Sequence, residues 1–558
     1  RAHCEPASAE SLSRITSTSS PESSDTGRCV VRVRWPDGNG NVAEAQGRGA
    51  SLQAALGGAL SSLPGASPSW LRLEIVTGSS ARTTRNIDPL RAGTWGVATD
   101  GQLSTWLDPL AINNRRLIAR YGRFRTSRIA RYERNADLAG TESSWNYLLS
   151  VESWLKLDGQ WQRLHRGNRQ TASLDTAVIE EAARGAADYL ARAIGPNGRF
   201  VYDRRPWLGG STSDYNILRH AGSTFSLYQA WQRFKDQRYL AAGDRAMDFL
   251  EQHIEPCPGQ ASLRCVVEDG EIKLGGNGLA LVAISERIQA TGDRKSLPLA
   301  RQLAGWILAA QQDNGSYRPH KWSYPEGTAD PFISAYYPGE AMLGLLMLYR
   351  LDPDKRWLDS AADLAEYLRE GRDKSVSDLE LPHDHWLLYG LAELYAWRPR
   401  AADLAHGERI ARVILAAQNV QPAVQGDPED WRGSFYRPPR STPTATRAEA
   451  LLGAWSLAEQ SGKSEYFADY LTGLCHAMAF TLQTRFTPEK ALFPGDAAAF
   501  AGGFHRSLTD YGVRNDYVQH NLSVLLGLLA IMETQQAWLK DRYVSQAHPI
   551  CPEGIAAH

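Results

Sequence analysis

Six short polar or glycine-rich stretches recur along the last two-thirds of this chain, and they hold most of the residues that could do chemistry. They are Asp214-Tyr215-Asn216 with Arg219-His220, Gly275-Gly276-Asn277-Gly278, Tyr336-Tyr337-Pro338-Gly339-Glu340, His383-Asp384-His385-Trp386, Thr444-Ala445-Thr446-Arg447-Ala448-Glu449, and Arg514-Asn515-Asp516-Tyr517 with His520. The carboxyls Glu340, Asp214, Asp516, Glu449 and Asp384 suit paired acid and base work. One held neutral protonates a leaving oxygen, while an ionised partner activates water or attacks directly. Burial beside Tyr336, Tyr337 and Trp386 would raise a carboxyl pKa into the range of an acid catalyst. The imidazoles His220, His383, His385 and His520, with Arg219 or Arg447, suit a second chemistry. They could remove a proton next to a carboxylate while a cation neutralises the enolate. Tyr215, Tyr336, Tyr337, Trp386 and Tyr517 are rings that can stack on or orient a ligand.

Each stretch also has a plain structural explanation. Asp214, Asp384 and Asp516 stand where helix N-caps are expected, and Pro338-Gly339-Glu340 reads as a helix start with its acid favoured by the dipole. The set outweighs its members, because burying so many ionisable groups together is costly unless they pair or work. His383-x-His385 does not present two metal ligands on one helical face, and no Cys-rich or His-x3-His spacing appears. Neither a metal nor any other cofactor is expected. There is no G-x-S-x-G elbow, and the glycines at 275–278 lack the strand and lysine of a phosphate loop.

The elements that must position these residues repeat with a period of roughly 45 to 60 residues, each unit a helical hairpin. Turns at Lys235-Asp236, Thr291-Gly292-Asp293, Asp352-Pro353-Asp354, Arg398-Pro399 and Ser461-Gly462-Lys463 break the apolar runs. The runs predict helices over 177–195, 221–235, 238–255, 277–291, 295–312, 339–351, 354–371, 384–397, 401–418, 445–460, 464–485 and 514–535. Met342, Leu345, Leu346 and Tyr349 show the register of a buried face. The even-numbered helices are the more apolar and carry Gly344, Gly390, Gly453 and Gly527, as an inner ring requires. The chain is therefore expected to be mainly α: an (α/α)6 toroid of six helical hairpins preceded by a small α+β domain. Long loops all lead into inner-helix starts, so they crowd one face of the ring.

Upstream, Val31, Val33 and Trp35 alternate with Arg32 and Arg34, and Leu71, Leu73 and Ile75 with Arg72 and Glu74, as in half-buried strands. Asp100-Gly101 and Asp158-Gly159 are turn dipeptides. The expected division is a disordered Ser-rich linker over 1–26, an α+β domain over 27–172, the toroid over 173–540 and a tail over 541–558. The net charge of -1 over 558 residues argues against nucleic acid, whose phosphates call for a basic surface. No run of about 18 apolar residues exists to span a bilayer. Of the six cysteines, Cys257 and Cys265 are placed to close a small loop, and Cys475 reads as a buried free thiol. A start at Arg1 and a plausible disulfide point to a periplasmic or secreted protein whose leader has been removed.

The repeat, the polar inner-helix starts and the aromatic loops make residues 176–536 resemble the (α/α)6 carbohydrate-active enzymes, a group of glycoside hydrolases, sugar epimerases and polysaccharide lyases. Arg514-Asn515-Asp516-Tyr517-Val518-Gln519-His520 is similar to an Arg-x-Asp-Tyr…His run near the C-terminus of glucuronyl C5-epimerases, with the histidine spacing changed by one. Lanthionine cyclases share a helical ring, but their Cys/Cys/His zinc ligands have no counterpart here. The resemblance implies a polysaccharide or oligosaccharide substrate, cleaved by a glycoside hydrolase through paired carboxylates. The alternatives are a uronate C5-epimerase or lyase using His or Tyr with Arg, and a glycan-binding protein of an envelope polysaccharide system.

Overall fold

The apolar stripes of residues 176–534 settle into two concentric rings of helices in a computed structural model of the chain, which describes residues 3–15, 27–64, 67–82, 94–117, 145–171, 174–420, 429–535 and 539. Six outer helices, α1 (Thr176–Arg192), α3 (Gln237–Glu251), α5 (Leu297–Ala310), α7 (Lys355–Tyr367), α9 (Ala401–Ala417) and α11 (Phe467–Gln483), alternate along the chain with six inner ones. The inner helices are α2 (Ile217–Phe234), α4 (Leu274–Thr291), α6 (Tyr337–Leu351), α8 (His385–Trp397), α10 (Ser441–Gln460) and α12 (Asn515–Thr534). Each inner helix packs on the next, and α12 closes the ring against α2. This is the (α/α)6 toroid.

Inner helices are apolar nearly all round because they are covered on most sides. Glycine permits their close approach: a Cβ on Gly278 of α4 would stand 2.6 Å from the backbone nitrogen of Ala341 in α6, and one on Gly339 would stand 2.6 Å from that of Leu387 in α8. Two helices begin a turn earlier than their apolar pattern predicts, α2 at Ile217 instead of 221 and α10 at Ser441 instead of 445. The first turn of α10, Ser441-Thr442-Pro443-Thr444, is polar where it lines a cavity, whereas α2 opens on Ile217 and Leu218, which join the core, beside Arg219, which faces the cavity. The long loops before the inner helices fold into two small sheets. One joins Ile254–Cys257, Gln260–Glu268, Glu271–Lys273, Lys321–Ser323 and Ala329–Asp330, and the other joins His505–Ser507, Asp510–Arg514, Asp203–Arg205 and Gly210–Ser211.

The N-terminal region is an antiparallel sheet of β1 (Cys29–Pro36), β2 (Val42–Gly49), β3 (Trp70–Ala81), β4 (Thr94–Ala98), β5 (Trp106–Leu107), β6 (Tyr147–Leu157) and β7 (Gln160–Leu164). The order is β2-β1-β3-β6-β4-β5, with β7 against β6. Its two faces depart from the expected half-buried pattern. Val31, Val33, Leu73 and Ile75 pack under the helix Leu52–Leu60, but the opposite face is buried too. There Arg72 pairs with Glu74 at 2.7 Å with both side chains fully buried, and Asp108 accepts from Arg32 at 2.7 Å and Arg34 at 2.8 Å. The residues over this charged face belong to the segment that leads into α12. Arg72 donates to the Glu489 carbonyl, Asn114 to the Lys490 carbonyl, and Arg169 grips the Glu489 carboxylate with two bonds. The sheet thus buttresses the stretch that carries Arg506 and Arg514.

Two further expectations need correction. Residues 3–15, expected to be disordered, carry a short capped helix at Ala9–Ser13, and Cys4 and Leu12 are buried against the sheet. Cys4 is disulfide-bonded to Cys29, and Cys257 to Cys265 as expected. Cys475 is not a free thiol: it is disulfide-bonded, with its partner outside the described residues. The expected linker at 16–26 and tail at 541–558 also lie outside them. Among the described residues, no helix is long and apolar enough to cross a membrane.

Candidate active site

All six inner helices send residues from their first two turns into one cavity of about 560 Å³ at a face of the ring. Helix α2 supplies Arg219, α6 Tyr337 and Glu340, α8 His385 and Trp386, α10 Arg447, and α12 Asp516, Tyr517 and His520, with Leu279 of α4 between them and Tyr336 just ahead of α6. Ten residues expected at a site therefore converge here. Loops add Asp203, Arg205, Tyr436, Arg440 and Arg506, which no periodic pattern announces. With Arg514, six arginines and three carboxyls line the wall.

Arg447 differs from its neighbours. Its Nε donates to His383 Nδ1 at 3.0 Å, one terminal nitrogen to the Pro443 carbonyl at 3.0 Å, and the other to the Tyr436 hydroxyl at 2.5 Å. The guanidinium lies 4.7 Å from the Tyr436 ring centre and is nearly buried, yet all three of these acceptors are neutral. A buried positive charge held by neutral groups is a place for an anion. Asp516, by contrast, is already neutralised. It accepts from Arg514 at 2.6 and 2.8 Å and lies 3.1 Å from Arg219. Burial works to raise the Asp516 pKa, but those two arginines outweigh it and hold the carboxyl below its ordinary value. Asp203 is likewise gripped by Arg205, at 2.6 Å.

Glu340 is the carboxyl left without a cation at hydrogen-bonding distance. It is 6% exposed, and its Oε2 is buried with no hydrogen-bond partner. Burial, reinforced by the charge of Asp384 and opposed only by Arg219, pushes its pKa up to about 8. At neutral pH it is a carboxylic acid able to donate.

Opposite chemistry is set on α8, α10 and α12. Glu449, 1% exposed, accepts from His520 Nδ1 at 2.6 Å, which leaves Nε2 of that imidazole for a bound molecule. His385 packs edge-on to His520 with ring centres 5.3 Å apart, and its Nε2 stands 3.6 Å from Glu449. Both nitrogens of His385 lack a partner, and burial, followed by the charges of His520 and Arg447, drives its pKa well below the ordinary value. Burial also raises Glu449 against the pull of His520. Among the described residues this trio is the one group that could offer a metal ion three ligand atoms. Two ligands on a zinc ion at ~2.0–2.1 Å stand roughly 3.3 Å apart. The 2.6 Å contact between Glu449 and His520 is instead that of a shared proton.

Six expected site residues do not line the cavity, Glu449 among them, which meets it only through His520. Asp214 is exposed outside it. Tyr215 accepts from the Phe200 backbone N–H and bonds His220 at 2.7 Å, and His220, fully buried, bonds the Ala246 carbonyl at 2.7 Å. Burial pushes that imidazole down to about 3, so it is a neutral core group. His383 stands behind Arg447 as its acceptor. Asp384 caps α8 through the Leu387 N–H at 3.2 Å and lies beneath the floor, raised to about 7 by burial against the pull of Arg372.

No protein-family model matches the chain, and no curated protein does. The resemblance to carbohydrate-active toroids is met in solved structures. A cellobiose 2-epimerase from Spirochaeta thermophila is 16% identical, with 64% of this chain and 98% of that one aligned at a TM-score of 0.46. An α-1,6-mannanase from a Salegentibacter species is 14% identical over 63% and 99% at 0.45. An unsaturated glucuronyl hydrolase specific for heparin is 15% identical over 64% and 98% at 0.45.

Proposed function

We propose that this chain is an extracytoplasmic enzyme of acidic saccharides that moves the proton on the carbon bearing the substrate carboxylate. The observation that carries this reading is Arg447, a buried guanidinium with neutral partners on the wall of a cavity rich in arginine. A uronate carboxylate supplies the missing charge. Proton loss at the adjacent carbon then builds negative charge into that carboxylate, where Arg447 stabilises it. His520, oriented through Nδ1 by Glu449, is the base, in the manner of a carboxylate-backed imidazole. His385 touches His520, so both imidazoles act from one side of a bound ring. Glu340, neutral at pH 7, is the proton donor. Donation to the same carbon from the other face gives epimerisation, and donation to a departing ring substituent gives elimination. Tyr336, Tyr517 and Trp386 bracket the ring, and the disulfides suit an oxidising compartment.

Glu340 also favours a second reading, hydrolysis, because a neutral carboxylic acid can protonate a glycosidic oxygen. That chemistry also needs a carboxylate whose oxygen is free to attack or to take a proton from water, and the oxygens of the other two on the wall, though ionised, are engaged by arginines.

Incubation with neutral and acidic polysaccharides in D2O separates these outcomes. Deuterium in an uncleaved uronate supports epimerisation, an unsaturated product supports elimination, and new reducing ends with neither support hydrolysis. Cleavage of neutral glycans alone would sink the acidic-substrate reading.

A further inference from the structure

Two aromatic rings on the wall of the cavity remain exposed. Tyr336 is 39% exposed and Tyr436 49%, whereas Trp386 on the same wall is 3% exposed. Tyr436 holds its position against two costs. Its φ is +69°, in the left-handed region that a residue with a bulky side chain adopts only when its surroundings impose it. Its half-exposed ring also forgoes the burial that the neighbouring Phe435 finds in the core. Asn419, itself buried, donates to the Tyr436 carbonyl at 3.2 Å, and the Arg447 guanidinium donates to the Tyr436 hydroxyl, so the residue is fixed at both ends. A strained residue held rigidly with its ring outward is a surface built to meet a ligand.

We propose that the Tyr436 ring is the stacking platform for the saccharide unit next to the reacting uronate, so that the ligand is an acidic chain of two or more units. The inference rests on the acidic-saccharide reading above. Arg447 ties the two positions together. It anchors the carboxylate of the reacting unit, and its guanidinium lies 4.7 Å from the Tyr436 ring centre. The reacting carbon must reach His520, and the buried Trp386, with its ring centre 6.4 Å from that of His520, serves the same unit. Tyr436, the more exposed ring, meets the unit that follows. A pyranose offers a face of C–H groups to an aromatic ring, and covering the ring removes its apolar surface from water. Arg440 lies 5.9 Å from the same ring centre and also lines the wall, so the next unit meets positive charge as well. A uronate suits that place, since a polymer of uronates repeats its charge at every unit.

The test is titration calorimetry of the full chain with the mono- and disaccharides of mannuronate, glucuronate and galacturonate. For the uronate that binds, wild type should hold the disaccharide about tenfold more tightly than the monosaccharide, or ~1.4 kcal/mol. Tyr436→Phe and Tyr436→Leu both lose the hydroxyl that Arg447 uses, so any effect on the anchor is common to them. Tyr436→Phe should keep the gain from the second unit, and Tyr436→Leu should reduce it to about twofold or less. Matched melting temperatures of the two variants exclude unfolding as the cause. A full gain in Tyr436→Leu, or an equal loss of it in both variants, overturns the platform while the acidic-saccharide reading stands. Equal binding of both lengths by wild type does the same. No binding of any of these uronates by wild type overturns both.

Discussion

The Nε of Arg447 donates to Nδ1 of His383 at 3.0 Å, so this histidine aims a guanidinium rather than acting as a base. Burial first, and then the charge of Arg447, holds the His383 imidazole down to about 4, which keeps it a neutral acceptor throughout the physiological range. Loss of the charge at Arg447→Gln should raise KM for an acidic saccharide by about 30-fold, or ~2 kcal/mol, since a buried charge pair is being broken. Affinity for a neutral saccharide should be unchanged. Titration calorimetry with matched acidic and reduced oligosaccharides checks both arms. Equal losses for the two ligands would remove Arg447 as the carboxylate anchor.

Glu340 should set the alkaline edge of activity. Its folded pKa of about 8 against an ordinary 4.5 means that the folded chain holds an extra proton between those values. Stability conferred by the neutral group is therefore complete below 4.5 and is lost at ~1.4 kcal/mol per pH unit as pH rises towards 8. Proton donation should fail over the same upper limit, so the rate falls above about pH 8. Glu340→Gln should have a melting temperature less dependent on pH from 5 to 8 and a rate reduced by ~10²–10⁴ at neutral pH. A wild-type rate that stays flat to pH 10 would remove Glu340 as the donor.

The ring was legible because its signal is periodic. An apolar stripe every three or four residues, broken at Lys235-Asp236 or Ser461-Gly462, locates a helix wherever it sits in the fold. The cavity was legible in outline for the same reason, since loops of unusual length led to the inner-helix starts. Within a first turn the reading lost resolution. Arg219 and His220 are adjacent in sequence but about 100° apart around the helix, so one faces the cavity and the other the core behind it. The same offset sends His385 to the floor, while His383, ahead of the helix, stands behind Arg447. Tyr436, Arg205 and Arg506 sit in loops with no period, and only the folded chain brings them to the wall. Strand alternation misled at Arg72 and Glu74, because a charged face can be buried if it pairs with itself.

That buried pair yields a stability prediction. Arg72 and Glu74 lie 2.7 Å apart with no exposure, and Arg72 also reaches the Glu489 carbonyl across the junction with the ring. Removing one partner leaves a desolvated charge, so Arg72→Met should cost about 3–5 kcal/mol, whereas Arg72→Met with Glu74→Leu should recover most of it. Because the pair bridges the sheet and the segment leading into α12, the loss should lower a single unfolding transition rather than split it. Two separate calorimetric transitions in wild type would show that the sheet and ring fold independently.

Gly275 provides a test of Glu340 that leaves its charge in place. A Cβ at this position of α4 would stand 2.0 Å from Glu340 Oε2 and 2.5 Å from a Tyr337 ring carbon. The absence of a side chain is what lets the carboxyl lie flat against the neighbouring helix, away from water. Gly275→Ala should fold with a loss of about 1–3 kcal/mol from overpacking. It should also push the carboxyl outward, where better solvation lowers its pKa. The alkaline edge of the rate profile should then move to lower pH, a shift that a simple loss of stability does not produce. Reduced stability with an unmoved edge would mean that another group donates the proton.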